Sequence, residues 1–229
     1  MMILAVNTSN ATLGIAVVQN GILLAETVVL AQHQHLEHTV PSIKDLTSAL
    51  GIRLGSLDGF GVVLGPGSFS GVRVGLATVK GMALALQKPI VGICSLELAA
   101  YDVLKSTETG IVLMDAKRGQ VFTASYRRTS EDVITMEPPA LANPADVLTD
   151  GFGSETPVLV WADKALIPPD PIQRMAYRSP TMPSAVTCAL MAENRLKRGL
   201  ADNIHALKPI YVRRPDAEEK PRALFSMNS

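Results

Sequence analysis

Residues able to do chemistry gather at a few points in the chain. One is Gly65-Pro66-Gly67-Ser68-Phe69-Ser70-Gly71-Val72-Arg73-Val74-Gly75, which follows the apolar run Phe60–Leu64 and opens a small-residue helix expected over 69–86. A glycine-rich turn at a helix N-terminus can turn its backbone N–H groups toward an anion or another chain. A phosphate loop would need Lys and Ser or Thr directly after its last glycine. Val72 and Arg73 stand there instead. A second point is His33-Gln34-His35-Leu36-Glu37-His38. A helical zinc pair wants i, i+4 spacing, whereas His35 and His38 are three apart and His205 is the only other histidine. The segment reads as an exposed helix start rather than a metal site. A third is Asn7-Thr8-Ser9-Asn10, between two apolar strands. It offers neither acid nor base, and Asn7 cannot give a hard cation a negative charge. Ser68 and Ser70 have no His and Asp arranged to suggest a triad.

The elements that must position these residues follow from the hydrophobic pattern. Strands are expected at 2–6, 12–18 and 22–30, the last two joined by the hairpin pair Asn20-Gly21. A helix to about Leu50 carries the stripe Leu36, Val40, Ile43, Leu46, Thr47 and Leu50. In the helix after the glycine-rich loop, Gly71, Gly75, Thr78 and Met82 fall at i, i+4, i+7 and i+11 and share one face. A helix-interior glycine costs roughly 1 kcal/mol relative to alanine, and Gly71, Gly75 and Gly81 all lie in this helix. The usual return is close approach of another backbone, either the chain's own sheet or a second subunit. A strand at 88–94, a helix at 96–104 capped by Ser95, and a polar linker at 105–110 come next. Ile111–Ala124 then aligns without a gap, at an offset of 108, with Ile3–Ala16, so a two-lobed duplication is expected. Asp115 takes the place of Asn7 and reads as a turn-capping residue. Asn143-Pro144 starts a short helix, 157–162 is a strand, and 183–200 is an amphipathic helix ended by Gly199. The chain from Pro215 onward reads as disordered or partner-dependent.

Composition bounds the function. Of 229 residues 47% are hydrophobic, enough for a large aliphatic core, and 21 basic residues cancel 21 acidic ones. Phosphate neutralisation dominates nucleic-acid affinity, so RNA binding by the chain alone is not favoured. From Arg195 to Ser229, eight basic residues face four acidic ones, which reads as a solvated face and tail. Cys94 and Cys188 sit in apolar contexts without C-x-x-C spacing and read as buried thiols in a reducing compartment. The apolar run Met1–Val6 is too short for a signal peptide, and no segment is expected to reach a membrane-spanning length. A cytoplasmic location is expected.

The loop Gly65–Gly75 resembles the GPGSFTG(L/V)R(I/V)G signature of the TsaB (YeaZ) family, a bacterial subunit of the machinery that makes N6-threonylcarbamoyladenosine at position 37 of tRNAs. Residues 111–122 resemble the family's (I/L)DARxGEVY segment, with Lys117, Gln120 and Phe122 standing for Arg, Glu and Tyr. His35-x-Glu37 with Pro41 resembles its HSExLLP segment. In the paralogous TsaD the matching helix carries H-x-E-x-H and binds a metal, and here the second ligand position falls on Thr39. Lys208–Arg213 resembles the terminal PxYLR, which implies that Tyr211 and Arg213 pack the tail onto the body. Two departures stand out: Asn7 where the family commonly has Asp, and Trp161-Ala162-Asp163 where it often has G-(D/N)-G.

The resemblance implies an α/β, actin-like (ASKHA) two-lobed duplication, each lobe a mixed sheet with flanking helices, with lobes at 1–104 and 105–229. It implies a non-catalytic scaffold subunit that dimerises with TsaD and activates threonylcarbamoyl transfer to adenosine 37 of ANN-decoding tRNA. TsaE would join through TsaD, ATP and metal would sit on the partner subunits, tRNA would be met only within the complex, and the isolated chain would homodimerise away from any membrane. The partner interface is expected at His35, Val40, Ile43, Ser70, Gly71, Val74, Gly75, Thr78 and Met82, with no catalytic, cofactor or metal residue in this chain. The rival reading is a stand-alone ASKHA-fold ATPase or an M22-type metallopeptidase.

Overall fold

Asn20 and Gly21 both take positive φ, 53° and 80°, and close a two-residue hairpin between β2 (Thr12–Gln19) and β3 (Ile22–Leu30). With β1 (Met2–Asn7) they form one half of a sheet whose other half is parallel: β4 (Gly59–Val63) lies beside β1, and β5 (Ile90–Ile93) beside β4. The strand order is β3-β2-β1-β4-β5. The computed structural model describes residues 1–32, 34–149, 158–160, 177–178 and 184–213.

The second sheet repeats the first. β6 (Thr109–Asp115), β7 (Val121–Arg128), β8 (Val133–Ala142), β9 (Val158–Val160) and β10 (Tyr177–Arg178) run in the order β8-β7-β6-β9-β10. Here too the first two ladders are antiparallel and the last two parallel. The fold is therefore the expected two-lobed α/β duplication. The gapless offset needs one correction. Asn7 pairs with Gly14, seven residues on, whereas Asp115 pairs with Val121, six residues on, so the second turn is one residue shorter. β8 has no counterpart among the expected strands. Pro138 and Pro139 hide it in the sequence, and its position at the sheet edge tolerates them.

The helices are α1 (His35–Ala49), α2 (Phe69–Leu86), α3 (Ser95–Val103), α4 (Pro144–Thr149) and α5 (Ala185–Lys197), with a 3-10 turn at Leu54–Ser56. α1 and α2 cover one face of the first sheet, where Leu4, Val6, Leu13, Ile15, Phe60 and Val62 meet Ile43, Leu46, Leu76 and Val79. Alternate residues Ile3, Ala5, Ala16 and Val18 face the other way, into a core shared with α3, α5 and the second sheet. The boundary drawn between 104 and 105 separates the strands of the two sheets, and the helices cross it. α3 packs against β6, β7 and β8, while α5 returns to β1, β2, β4 and β5. Arg195 of α5 joins the two sides, donating to Asp132 at 2.9 Å and to Glu97 of α3.

Two further expectations are corrected. Cys94, not Ser95, is the N-cap of α3, its N–H donating to Glu97 Oε2 at 3.3 Å. Ser95 is drawn into the first turn because its own N–H donates to Gly65 O at 2.8 Å. And one helix does reach a membrane-spanning length: α2, with 18 residues and a mean hydropathy of 1.3. Its apolar side chains have other work. Val72, Leu76, Val79 and Ala83 are buried on the sheet, and others line a groove described below. Cys94 and Cys188 are free and buried, and burial pushes the Cys188 thiol up to about 12.

Arg178 on β10 ties the second sheet to the linker, donating to both carboxylate oxygens of Glu108 and to Val103 O at 3.1 Å. Those hydrogen bonds hold the Glu108 carboxyl at about 2, below its ordinary 4.5. A carboxyl whose folded pKa is depressed adds stability above its unfolded pKa and loses it as pH falls through the folded value. The stability gap between wild type and Glu108→Gln, measured by urea denaturation, is therefore expected to be constant above about pH 5 and to shrink between about pH 4.5 and pH 2.

Candidate functional site

The turn after β1 and the loop before α2 lock together. Ser68 N donates to Ser9 O at 2.7 Å, and Ser68 Oγ caps α2 by accepting from Gly71 N at 3.2 Å. A Cβ added at Gly71 would lie 2.1 Å from Thr8 O, and one at Gly75 would lie 2.2 Å from Thr8 Oγ1. Real Cβ atoms do not approach that closely, so the missing side chains are the space the turn occupies. Asn7, Thr8 and Ser9 are buried, and Asn7 Oδ1 accepts from Ser9 N at 3.0 Å and from Ser9 Oγ at 2.8 Å. Of the two returns open for the glycine face, the intramolecular one holds at Gly71 and Gly75. Their assignment to a partner surface is corrected, because the chain's own turn fills the space.

The same face of α2 runs on beyond the turn, and there it is open. A groove of about 430 Å³ lies between α1 and α2, floored by Ile43 and Thr47 and lined by Val40, Ala77, Thr78, Gly81 and Met82. Among the described residues, nothing beyond the helix's own backbone and the neighbouring residues lies within 4 Å of a Cβ placed on Gly81. Leu36, Val40 and Leu84 stand exposed on these helices, at 76%, 59% and 47%. Of the residues expected at an interface, Val40, Ile43, Thr78 and Met82 meet in this groove. Ser70 is exposed and Val74 half-buried on α2. His35 is buried, its Nε2 3.4 Å from Thr12 O, and Thr39 Oγ1 donates to His35 O at 2.6 Å. His38 Nε2 lies 3.4 Å from Gln34 Oε1 instead, so the two imidazoles have separate partners. His33 lies outside the described residues, as does the Trp161–Asp163 turn. Among the described residues no three His, Cys, Asp or Glu side chains come together as metal ligands would.

The turn between β6 and β7 differs from its counterpart. Lys117, Arg118 and Gly119 all take positive φ, 64°, 58° and 72°. Asp115 accepts from Lys117 N at 2.7 Å and from Lys117 Nζ at 2.6 Å. Partial burial pushes the Asp115 carboxyl up, but the Lys117 hydrogen bonds and charge outweigh it and hold the pKa below the ordinary value. This is a charged, outward turn where the first is neutral and filled.

Sequence reasoning missed how the residues after α5 are used. Ile204, Leu207 and Ile210 join the core under α2, with Ile210 N donating to Leu64 O at 2.8 Å. Lys80 Nζ donates to Leu207 O at 2.9 Å, and Arg73 Nε to the Tyr211 hydroxyl at 2.6 Å. Arg213 donates to Ala116 O and Gln120 Oε1, at the second lobe's turn. Tyr211 and Arg213 thus hold the tail to the body, as the resemblance implied. Arg73 as the receiving group had no signal in the sequence beyond its place in the glycine-rich motif.

Comparison with known proteins agrees with this architecture. The sequence model of TsaD, tRNA N6-adenosine threonylcarbamoyltransferase, matches residues 29–173. The chain belongs to the TsaD family. Within it, the chain is 28% identical over 232 residues to the tRNA threonylcarbamoyladenosine biosynthesis protein TsaB of Bacillus subtilis, covering 96% of this chain and 97% of that one. It is 29% identical to the TsaB of Escherichia coli over 135 residues, 58% of each chain. The solved structure of YeaZ from Pseudomonas aeruginosa superposes with a TM-score of 0.75 over 92% of this chain and 99% of that one, at 24% identity, a likeness of fold. The resemblance to TsaB (YeaZ) read from the loop thus extends along the chain.

In this TsaD-family chain the Thr8–Gly75 contact gives a test of packing. Gly75→Ala is expected to destabilise the fold by about 1–3 kcal/mol through overpacking. Thr8 Oγ1 is buried with no hydrogen-bond partner among the described residues, so Thr8→Ala removes the obstacle without breaking a hydrogen bond seen there. The double variant is expected to recover most of the loss, giving a coupling of about 0.5–3 kcal/mol in urea denaturation. Purely additive effects would mean that the two side chains do not compete for this space.

Proposed function

We propose that this chain is a non-catalytic partner subunit of the machinery that makes N6-threonylcarbamoyladenosine in tRNA, and that the α1/α2 groove seats its TsaD-family partner. Membership of the TsaD family, with relatives named for tRNA threonylcarbamoyladenosine biosynthesis, supports the pathway. The observation that carries the partner role is the contrast along α2. Its first turns are filled by Thr8, while its later turns open into an apolar groove walled by the exposed Val40. Apolar surface of this kind gains free energy when a partner removes it from water.

On this reading threonylcarbamoyl transfer to adenosine belongs to the TsaD partner, and ATP and metal are carried by partner subunits, TsaE joining through TsaD. The neutral Asn7 turn and the Thr39 hydroxyl at the second ligand position support that division of labour, since neither supplies the anionic or imidazole ligand such sites need. In the absence of a partner a second copy of the chain would cover the same groove. The work would take place in the cytoplasm, with tRNA engaged in the assembly. Binding of ATP–Mg²⁺ below millimolar concentration by the isolated chain, in calorimetry, would speak for the stand-alone ATPase instead.

Val40→Asp and Met82→Glu place charges in the groove without touching the Thr8 contact. Each is expected to weaken association with the TsaD partner at least tenfold by titration calorimetry, as loss of a desolvated apolar anchor does, with the melting temperature within about 3 °C of wild type. Light scattering of the isolated chain is expected to move toward the monomer in the same variants. An unchanged partner affinity in both would remove the groove from the interface.

A further inference from the structure

Among the described aromatic side chains only two are exposed, Phe69 at 42% and Tyr211 at 43%, and they stand side by side. Their ring centroids are 5.2 Å apart and their planes inclined by 35°. Arg73, one turn along α2 from Phe69, lies over both. Its guanidinium carbon is 3.8 Å from the Phe69 centroid and 5.5 Å from that of Tyr211. Its Nε donates to the Tyr211 hydroxyl at 2.6 Å. Arg73 is exposed and makes no ion pair with a carboxylate among the described residues. Two residues after Tyr211, Arg213 fastens the strand of tail to the β6–β7 turn, where the Lys117 side chain is 83% exposed.

Arg73 is thus an exposed cation held by rings rather than by an acid. Exposed ring faces accept unpaired bases with little regard to sequence, and a guanidinium ordered on a ring presents its remaining N–H groups to a phosphate or a base edge. A paired RNA helix keeps its bases stacked inside and cannot use such rings, whereas single-stranded loops and ends can. The chain's zero net charge argues against binding driven by a broad field, which a local stacking contact does not need. We propose that Phe69, Arg73 and Tyr211, with Lys117 beyond them, form a stacking platform for unpaired nucleotides of RNA. That the RNA is a tRNA rests on the function proposed above. The platform itself rests on the geometry.

The test uses the full-length chain, a fluorescein-labelled 15-nucleotide single-stranded RNA and an unmodified tRNA transcript, with anisotropy read at 50 and 200 mM KCl. Arg73→Ala is expected to weaken binding about tenfold and to lower the salt slope by about one. Tyr211→Ala is expected to weaken it about tenfold, while Tyr211→Phe, which keeps the ring and loses the hydroxyl, stays within about twofold. A purely structural tail clamp made by the hydroxyl would weaken both variants alike, since Tyr211→Phe and Tyr211→Ala each lose the bond to Arg73. Because the alanine variants could loosen the tail, Phe69→Trp supplies a second reading: its indole fluorescence is expected to be quenched by added single-stranded RNA. Unaltered RNA affinity in Arg73→Ala and Tyr211→Ala with native circular dichroism, or an indole indifferent to RNA, overturns the proposal. So does a loss of affinity for the TsaD partner alone with RNA binding intact, which would make the patch a protein contact. Binding to single-stranded RNA but not better to tRNA keeps the platform and sinks only its assignment to tRNA. The groove variants are expected to leave RNA affinity unchanged, so failure of the groove reading and of this one are separable.

Discussion

The rest of the structure depends on one steric exchange: Thr8 stands where Gly71 and Gly75 have no side chains. It lets the β1–β2 turn lie on the first two turns of α2. The groove with α1 opens where the turn ends, and Phe69 and Arg73, one turn apart on α2, face the returning tail. A helix-interior glycine costs about 1 kcal/mol relative to alanine. Two of the glycines in α2 recover that cost inside the chain, and Gly81, with open space around it, does not.

The duplication separates what the fold requires from what the first lobe has specialised. Both sheets share strand order and direction, so the strand–turn–strand opening is a structural unit. The two turns then diverge. The Asn7 turn is one residue longer, neutral and buried, and its carboxamide oxygen is spent on Ser9. The Asp115 turn is shorter and points outward, with its carboxylate spent on Lys117. In both copies the residue at the end of the first strand is engaged by its own turn.

The strands of the first lobe, the Asn-Gly hairpin and both long helices were legible in the sequence because each is written locally, in apolar runs, a turn dipeptide and helical periodicity. β8 was not, because Pro138 and Pro139 argue against a strand until its edge position is known. The candidate site was legible in part. Helical spacing put Gly71, Gly75, Thr78 and Met82 on one face correctly, but spacing carries no information on what lies above a face. Thr8 is more than sixty residues away in the chain, so nothing local could divide that face into a filled half and an open half. The apolarity of α2 divides in the same way. Its length and hydropathy read as membrane-like only when the sheet on one side and the groove on the other are unseen.

The tail joins these features. Ile204, Leu207 and Ile210 complete the core beneath α2, so the chain's last described residues are part of the first lobe's stability. Tyr211 and Arg213 then carry the chain across from α2 to the second lobe's turn. Elsewhere Arg195 spans α3, α5 and the loop before β8. Ion pairs and hydrogen bonds thus tie the two lobes at two places, and the first turn is packed with the chain's own side chains, which fixes the surfaces that α2 and the tail present.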